Sequence, residues 1–264
     1  MINVSVAIPS YNTSNYIEKA IKPLLSSKYI NEIIIQDDCS ESGDLKKLES
    51  IITDIKKNSK TNILFFKNEN NIGPFENKNK LVNLCSNDLI YVLDADNIPQ
   101  QKLDNTIDEI IKSNNKNYIY LPSKIYQFKN LHRISKIVSI LNKKYVVRFS
   151  KENKLVDKKM VKDYILNGTP HTIDKHLMWV LNLGNFFIYK SNFVEHVTKK
   201  HSKTELNISA DPVAISFYYF ENKGKIKLIK SFYHYHRKRG NSWAYTSGGS
   251  VLESIELFKK KFVE

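Results

Sequence analysis

Two acidic clusters stand directly after apolar runs of the chain. Asp94 and Asp96 follow the run at residues 89–93, and Asp37 and Asp38 close an earlier run in the same way. Two aspartates one residue apart supply hard oxygen ligands for Mg²⁺ or Mn²⁺ and leave coordination positions for phosphate oxygens. The same pattern is also typical of a turn or a helix cap. Each cluster taken alone is therefore ambiguous.

The elements that must position these clusters have an α/β pattern. Short β-branched runs alternate with segments of helical period, which predicts a mainly parallel sheet flanked by helices. The predicted strands cover 4–8, 32–36, 63–66, 89–93 and 118–121, and the predicted helices cover 15–25, 44–57, 75–85 and 103–112. In such sheets ligands bind beyond the carboxyl ends of the strands. We therefore expect residues 9–12 and both acidic clusters to meet at one edge.

The alternation weakens beyond about residue 125. A basic stretch at 129–162 carries apolar residues at helix-like spacing, which predicts a basic helical insertion. Such a helix could pack on the core or bind a membrane surface or an acceptor. An apolar run at 178–183 leads into Gly184, and residues 186–189 are predicted to form a further strand.

Composition is ordinary for a globular protein and excludes several classes. The chain has 264 residues, of which 41% are hydrophobic, and its formal charge of +14 implies attraction to anions. No apolar run approaches the roughly 20 residues that span a bilayer, and the first residues lack the layout of a secretory signal. We expect a cytoplasmic location. Cys39 and Cys85 lack the spacing of metal ligands.

Four ordered motifs resemble family-2 glycosyltransferases of the GT-A fold: SVAIPSYN at 5–12, IQDDCS at 35–40, NNIGPFENKN at 70–79 and DAD at 94–96. The resemblance implies an inverting transfer from a nucleoside-diphosphate sugar, with UDP as the default nucleotide and Mn²⁺ or Mg²⁺ as cofactor. It also implies a role in glycan, capsule or lipopolysaccharide assembly. The donor site implied by the motifs comprises Pro9, Tyr11, Asn12, Asp38, Gly73, Lys78, Asp94 and Asp96.

The resemblance also implies a role for each charged residue of that site. Asp38 would hold the base, and Lys78 would lie near the diphosphate. Asp96 would coordinate the metal, while Asp94 would lie near the ribose and the metal. The resemblance divides the chain into a nucleotide-sugar-binding half at 1–125 and an acceptor-binding, catalytic half at 126–264.

Asp211 occupies the place where the family carries its catalytic base. It opens a predicted helix, whose dipole would favour an ionised carboxylate. The alternative is that Asp211 only caps this helix. The family usually shows an acidic pair here, whereas this chain has Ala210 before Asp211. Asp174 and Glu205 are therefore reserve candidates.

A late segment at 233–242 resembles the family's aromatic and basic segment over the nucleotide. His234 and His236 would face the same way on a strand, and one of them, preferably His236, could complete the metal shell. A structural histidine is the alternative. Arg237 and Arg239 could neutralise the diphosphate.

Three other functions fit parts of the sequence. A sugar-phosphate nucleotidylyltransferase would need a glycine-rich, arginine-bearing loop, which residues 9–12 do not offer. A basic nucleic-acid-binding protein would fit the charge but no binding motif, so we expect no nucleic acid partner. A sugar-nucleotide-binding protein without catalysis would fit the presence of Ala210 in place of the first acid of the family's acidic pair.

The chain has no Q-x-x-R-W sequence of the kind found in processive polysaccharide synthases, so we expect transfer of single sugars. The expected acceptor is a glycan or a lipid-linked sugar, and we expect peripheral contact with an anionic membrane.

Overall fold

The computed structural model describes residues 2–129, 145–148, 153–167, 184–201, 211–221 and 224–238, together with positions 256 and 260. Its strands form one mixed sheet. They are β1 (Val4–Ser10), β2 (Ile30–Asp37), β3 (Asn62–Lys67), β4 (Leu89–Val92), β5 (Ile98–Pro99), β6 (Tyr118–Lys129), β7 (Tyr145–Arg148), β8 (Lys154–Val156), β9 (Phe186–Tyr189) and β10 (Lys225–Lys238).

The main path of the sheet runs β3-β2-β1-β4-β9-β6-β10-β5, with β7 added to β6 and β8 added to β10. The strands β1 to β4 pair in parallel, as the β-branched runs predict. β9 lies antiparallel to β4 and joins the later part of the chain to the first half. The predicted α/β class with a mainly parallel sheet and flanking helices is therefore confirmed.

The helices cover both faces of this sheet. They are α1 (Ile17–Ile21) with a 3-10 turn (Lys22–Leu24), α2 (Ser42–Lys57), α3 (Pro74–Leu84), α4 (Leu103–Ser113), α5 (Lys158–Asn167), α6 (Lys190–Phe193), a π-helical turn (Val194–Thr198), α7 (Lys199–His201) and α8 (Asp211–Glu221). The four helices predicted in the first half all form, with small differences at their ends.

The core consists of two clusters, one on each face of the sheet. Ile34 and Val92 point to the face covered by α3 and α8, while Ile33 and Ile35 point to the face covered by α1, α2 and α4. Because the central strands are covered on both sides, their residues are apolar in succession rather than alternately. This packing fixes the strand ends that carry the two acidic clusters.

The described parts of the basic stretch at 129–162 contain strands as well as the start of a helix. The structure contains strands β7 and β8 within it, and helix α5 begins only at Lys158. The β-branched pair Val146 and Val147 favours extended backbone, and β7 pairs with the long strand β6. The apolar residues of helical spacing at 134–141 lie outside the described residues, as does the run at 178–183.

Strand β6 crosses the predicted boundary between residues 125 and 126, and strands from both halves enter the same sheet.

Among the described residues, none of the helices has the length and apolar character needed to cross a bilayer.

Candidate active site

Asp37 ties together the loops that follow β1 and β2. Its buried carboxylate accepts hydrogen bonds from the Ser40 backbone N–H at 2.8 Å, the Ser40 hydroxyl at 2.6 Å and the Ser10 hydroxyl at 3.3 Å. These donors satisfy a carboxylate that would otherwise be costly to bury. Asp37 therefore organises the site rather than facing a ligand.

Asp38 uses its carboxylate to hold the loop before α3. Oδ1 accepts hydrogen bonds from the Ile72 N–H and from Asn68 Nδ2, and Oδ2 accepts one from the Gly73 N–H, each at 2.9 Å. Gly73 has a φ of +86°, a conformation that favours glycine. Since an ionised carboxylate offers about four acceptor positions, Asp38 has little capacity left for a base. Its base-binding role stays a prediction.

The loop after β1 lies against the loop after β2. Asn12 has a φ of +52°, and its backbone N–H donates to the Ser40 hydroxyl at 2.8 Å. Its side-chain oxygen accepts from the Glu41 N–H at 3.0 Å. Pro9 lies on β1 opposite Gln36, and Tyr11 is 49% exposed at the strand end. The loop thus leaves an aromatic side chain open to a ligand.

Lys78 connects the second acidic cluster to the start of α8. Its Nζ lies 2.8 Å from Asp94 Oδ1 and also donates to the carboxylate of Asp211. Both Lys78 and Asp211 are buried, while the Asp94 side chain is 30% exposed. Helix α3, the end of β4 and the first residue of α8 therefore meet at one ammonium group, and residues 94 and 211 share it.

The three charges shift one another's pKa values. Burial opposes the charged form of Lys78, but the two carboxylates outweigh it and raise the lysine pKa. Burial also opposes charge on Asp94, yet Lys78 outweighs it and lowers that pKa below its ordinary value. Burial raises the pKa of Asp211, because Lys78 offsets only part of the desolvation and Asp94 adds repulsion. The main group that lowers the pKa of Asp211, against the effect of burial, is therefore Lys78 rather than the helix N-terminus.

Gly184 and Asn185, just before β9, hold the backbone and side chain of Asp94. The Asp94 N–H donates to Asn185 Oδ1 at 2.7 Å. A Cβ added to Gly184 would lie 2.8 Å from Cγ of Asp94, which is closer than real Cβ atoms approach. The contact between Asn185 and Asp94 depends on the antiparallel pairing of β9 with β4, which residue spacing alone does not reveal.

Strand β10 brings two histidines beside the turn after β4. It pairs with β5 so that His234 lies opposite Pro99, and the His234 and His236 rings are 6.1 Å apart. Burial and the neighbouring His236 lower the pKa of His234 to about 3, although Asp94 opposes this shift. His234 is thus a neutral imidazole, and neither ring nitrogen has a hydrogen-bond partner among the described residues.

Arg237 braces the Asp96 turn from within the protein. Its Nε donates to the Asp96 backbone carbonyl at 3.2 Å, and its guanidinium carbon lies 4.9 Å from the centre of the Tyr16 ring. Its backbone N–H donates to Asn97 Oδ1 at 3.2 Å. Contact with the diphosphate stays a prediction for this buried side chain. Arg239, Asp174, Glu205 and Ala210 lie outside the described residues.

The donor set fits a cation that binds together with a diphosphate. Within the described part of the chain, no three His, Cys, Asp or Glu side chains come close enough to hold a metal ion by themselves. Asp94 is engaged by Lys78, and the resemblance of residues 94–96 to the family motif makes Asp96 the predicted carboxylate ligand. Mg²⁺ and Mn²⁺ can take their remaining ligands from phosphate oxygens and water. These residues fit such a site without forming a complete metal cage.

The fold is of the GT-A type. The chain superposes over 97% of its length on Staphylococcus aureus TarS 1–349 in complex with UDP-GlcNAc, with a TM-score of 0.63, 18% identity and 65% of that chain covered. The complex of TarS 1–349 with UDP gives a TM-score of 0.60 at 16% identity. At these identities the likeness establishes the fold.

The chain belongs to glycosyltransferase family 2. The family model described as "Glycosyl transferase family 2" matches residues 5–168, which is more than half of the chain. An uncharacterized glycosyltransferase of Methanocaldococcus jannaschii, MJ1057, is 34% identical over 102 residues, covering 38% of this chain and 33% of that protein. The chain therefore matches only about a third of this relative. The family membership confirms the resemblance seen in the four motifs.

Proposed function

We propose that this protein transfers one sugar from a UDP-sugar to a hydroxyl acceptor with inversion at the anomeric carbon, in glycan, capsule or lipopolysaccharide assembly. The observation that carries the proposal is the convergence of Asp94 and Asp211 on Lys78, beside the Asp96 turn. The complexes of TarS with UDP and UDP-GlcNAc support the choice of nucleotide.

In this mechanism Asp211 accepts the proton of the acceptor hydroxyl. The acceptor oxygen forms its bond to the anomeric carbon while the bond from that carbon to the diphosphate oxygen breaks. The electron pair of the broken bond leaves with UDP, so a single displacement inverts the anomeric carbon. Burial suits this role because a desolvated carboxylate is a stronger base than one in water.

Asp96, with Asp94 beside it, would hold the divalent cation. When bound, the cation would neutralise charge on the departing diphosphate. The exposed ring of Tyr11 would lie against the base, and the buried Arg237 would keep the Asp96 backbone in place.

Replacement of Asp96 tests the donor site. We expect Asp96→Ala to weaken manganese-dependent UDP binding at least ~10-fold, because a charged oxygen ligand is lost. Isothermal titration of UDP with and without manganese measures this. Asp54→Ala, which changes an exposed aspartate on α2, is the matched control and should bind like the wild type. Equal affinities of Asp96→Ala and the control would contradict the metal assignment.

Replacement of Asp211 tests the catalytic base. We expect Asp211→Asn to reduce sugar transfer, or donor hydrolysis to water, by ~10²–10⁴-fold, since general bases typically contribute this much. UDP affinity should stay within about threefold of the wild type because Asp211 does not hold the donor in this mechanism. Full turnover by this variant would remove Asp211 from the role. UDP binding without any donor turnover by the wild type would instead favour a non-catalytic sugar-nucleotide binder.

The acceptor is proposed to be a glycan or a lipid-linked sugar, with the protein in peripheral contact with an anionic membrane. A formal charge of +14 supports this because lysines and arginines near anionic lipids each contribute attraction. Sedimentation with vesicles rich in phosphatidylglycerol should show binding at low salt that weakens as salt is added. A lack of binding to these vesicles at low salt would contradict membrane contact.

A further inference from the structure

The charge balance around Lys78 is the starting observation. One ammonium group serves two carboxylates, those of Asp94 and Asp211, in a place where Lys78 and Asp211 are both almost fully buried. A buried carboxylate without a counter-ion takes up a proton and can no longer act as a base. The ability of Asp211 to stay ionised therefore depends on Lys78.

Helix α3 contacts the chain on both sides of residues 202–210. Glu76 on α3 pairs with His201, the last residue of α7, and Lys78 pairs with Asp211, the first residue of α8. His201 further packs edge-on against the Phe75 ring, with ring centres 4.6 Å apart. One helix thus sets the position of both flanking residues, and Lys78 provides the contact that aims the Asp211 carboxylate.

We infer that Lys78 is the positioning residue of the catalytic base Asp211 and acts through it, rather than serving mainly as a ligand of the donor diphosphate. An ammonium group has three hydrogen-bond donors, and the two carboxylates use two of them. Lys78 could contact a phosphate only with its remaining donor or by releasing a carboxylate. This inference rests on the proposed function and assigns to Lys78 a task different from the one the family motif implies.

The two roles predict different effects on donor binding: one predicts a loss of UDP affinity, and the other predicts almost no change. A diphosphate ligand contributes to UDP affinity, so its loss would raise the UDP dissociation constant together with the loss of turnover. A positioning residue of the base contributes to the chemical step, so its loss would lower kcat and leave UDP affinity nearly unchanged.

The experiment compares Lys78→Met, Lys78→Arg and the control Lys56→Met, which changes an exposed lysine on α2. Manganese-dependent UDP binding is measured by calorimetry, and turnover is measured as hydrolysis of a panel of UDP-sugars. We expect Lys78→Met to lower kcat ~100-fold or more while its UDP affinity stays within about threefold. Lys78→Arg should recover at least ~10-fold of that loss, because a positive charge is restored beside the Asp211 carboxylate. Lys56→Met should match the wild type.

A double variant keeps the inference testable if Lys78→Met folds poorly. Lys78→Met combined with Asp211→Asn removes the ammonium and one carboxylate together. If Lys78 acts through Asp211, the double variant should turn over donor no more slowly than Asp211→Asn alone.

The inference would be overturned by a loss of UDP affinity in Lys78→Met that matches the loss of turnover, or by a further ~10-fold loss in the double variant. Lys78→Arg that is no faster than Lys78→Met would also overturn it. These outcomes are distinct from failure of the proposed function, in which the wild type itself would hydrolyse no UDP-sugar in the panel.

Discussion

The two acidic clusters of this protein follow strands in the same way, yet their surroundings differ. Asp37 and Asp38, at the end of β2, each accept three hydrogen bonds from neighbouring strand ends and loops. Asp94, after β4, shares one lysine with Asp211. Close to Asp94, the Tyr91 hydroxyl, the Asn185 amide nitrogen and the His234 ring have no hydrogen-bond partner among the described residues.

We propose that this difference separates a cluster that holds loops together from a cluster that binds a ligand. Buried polar groups are normally satisfied, so a group that the chain satisfies by itself contributes to folding. A set of buried groups left unsatisfied by the chain has a cost that a bound ligand can remove. We therefore propose that the β2 cluster shapes the loops and that the β4 cluster receives the donor.

Among the changes that compare the two clusters, the largest effect is expected from adding one methyl group beside the second cluster. Gly184→Ala would force the Asp94 carboxylate away, since the new Cβ would lie 2.8 Å from its Cγ. We expect turnover to fall ~100-fold, because small displacements of catalytic groups have effects of this size. Steady-state hydrolysis of a UDP-sugar measures the loss.

Gly43→Ala is the matched control for this change. It lies on α2, and an added Cβ would meet nothing within 4 Å. It should leave turnover unchanged and raise helix stability by about 0.5–1 kcal/mol. Equal activity of Gly184→Ala and Gly43→Ala would show that the position of Asp94 does not matter for turnover.

The second prediction concerns the free energy of unfolding, measured by urea denaturation without donor or metal. Asp37→Ala should cost about 3 kcal/mol, because it leaves the Ser40 N–H and two hydroxyls without their buried acceptor. Asp94→Ala should cost about 1 kcal/mol or less, since Lys78 keeps Asp211 as a single balancing partner. Equal losses of stability in the two variants would show that the first cluster contributes no more to folding than the second.

The smallest effect concerns pH and His234. The folded-state pKa is about 3, below the ordinary value of 6.5, so between these values the unfolded chain binds a proton that the folded protein does not. Stability therefore falls as pH drops below about 7, by about 2 kcal/mol between pH 7 and pH 5. His234→Phe should remove this part of the pH dependence. Urea denaturation at both pH values tests it, and parallel losses in the wild type and the variant would contradict it.

Local patterns were enough for the first half of the fold. The β-branched runs predicted strands β1 to β4, and the helical periods predicted α1 to α4, because each pattern is complete within one segment. They were not enough for residues 145–148 and 154–156, which form strands within a basic stretch where the patterns predicted none. Pairing with β6 and β10 decides the conformation there, and such pairing involves residues distant in sequence.

The sequence by itself determined the α/β class, the family motifs and the two acidic clusters at the strand ends, because these depend on residue types over short spacings. Only the tertiary structure decided that the carboxylates of Asp37 and Asp38 are satisfied by neighbouring loops, whereas Asp94 shares a lysine. It also decided that Lys78, 133 positions from Asp211 in sequence, shares its charge with Asp94 and Asp211. The physical reason is that hydrogen-bond satisfaction and charge balance depend on neighbours brought together by the sheet and helices.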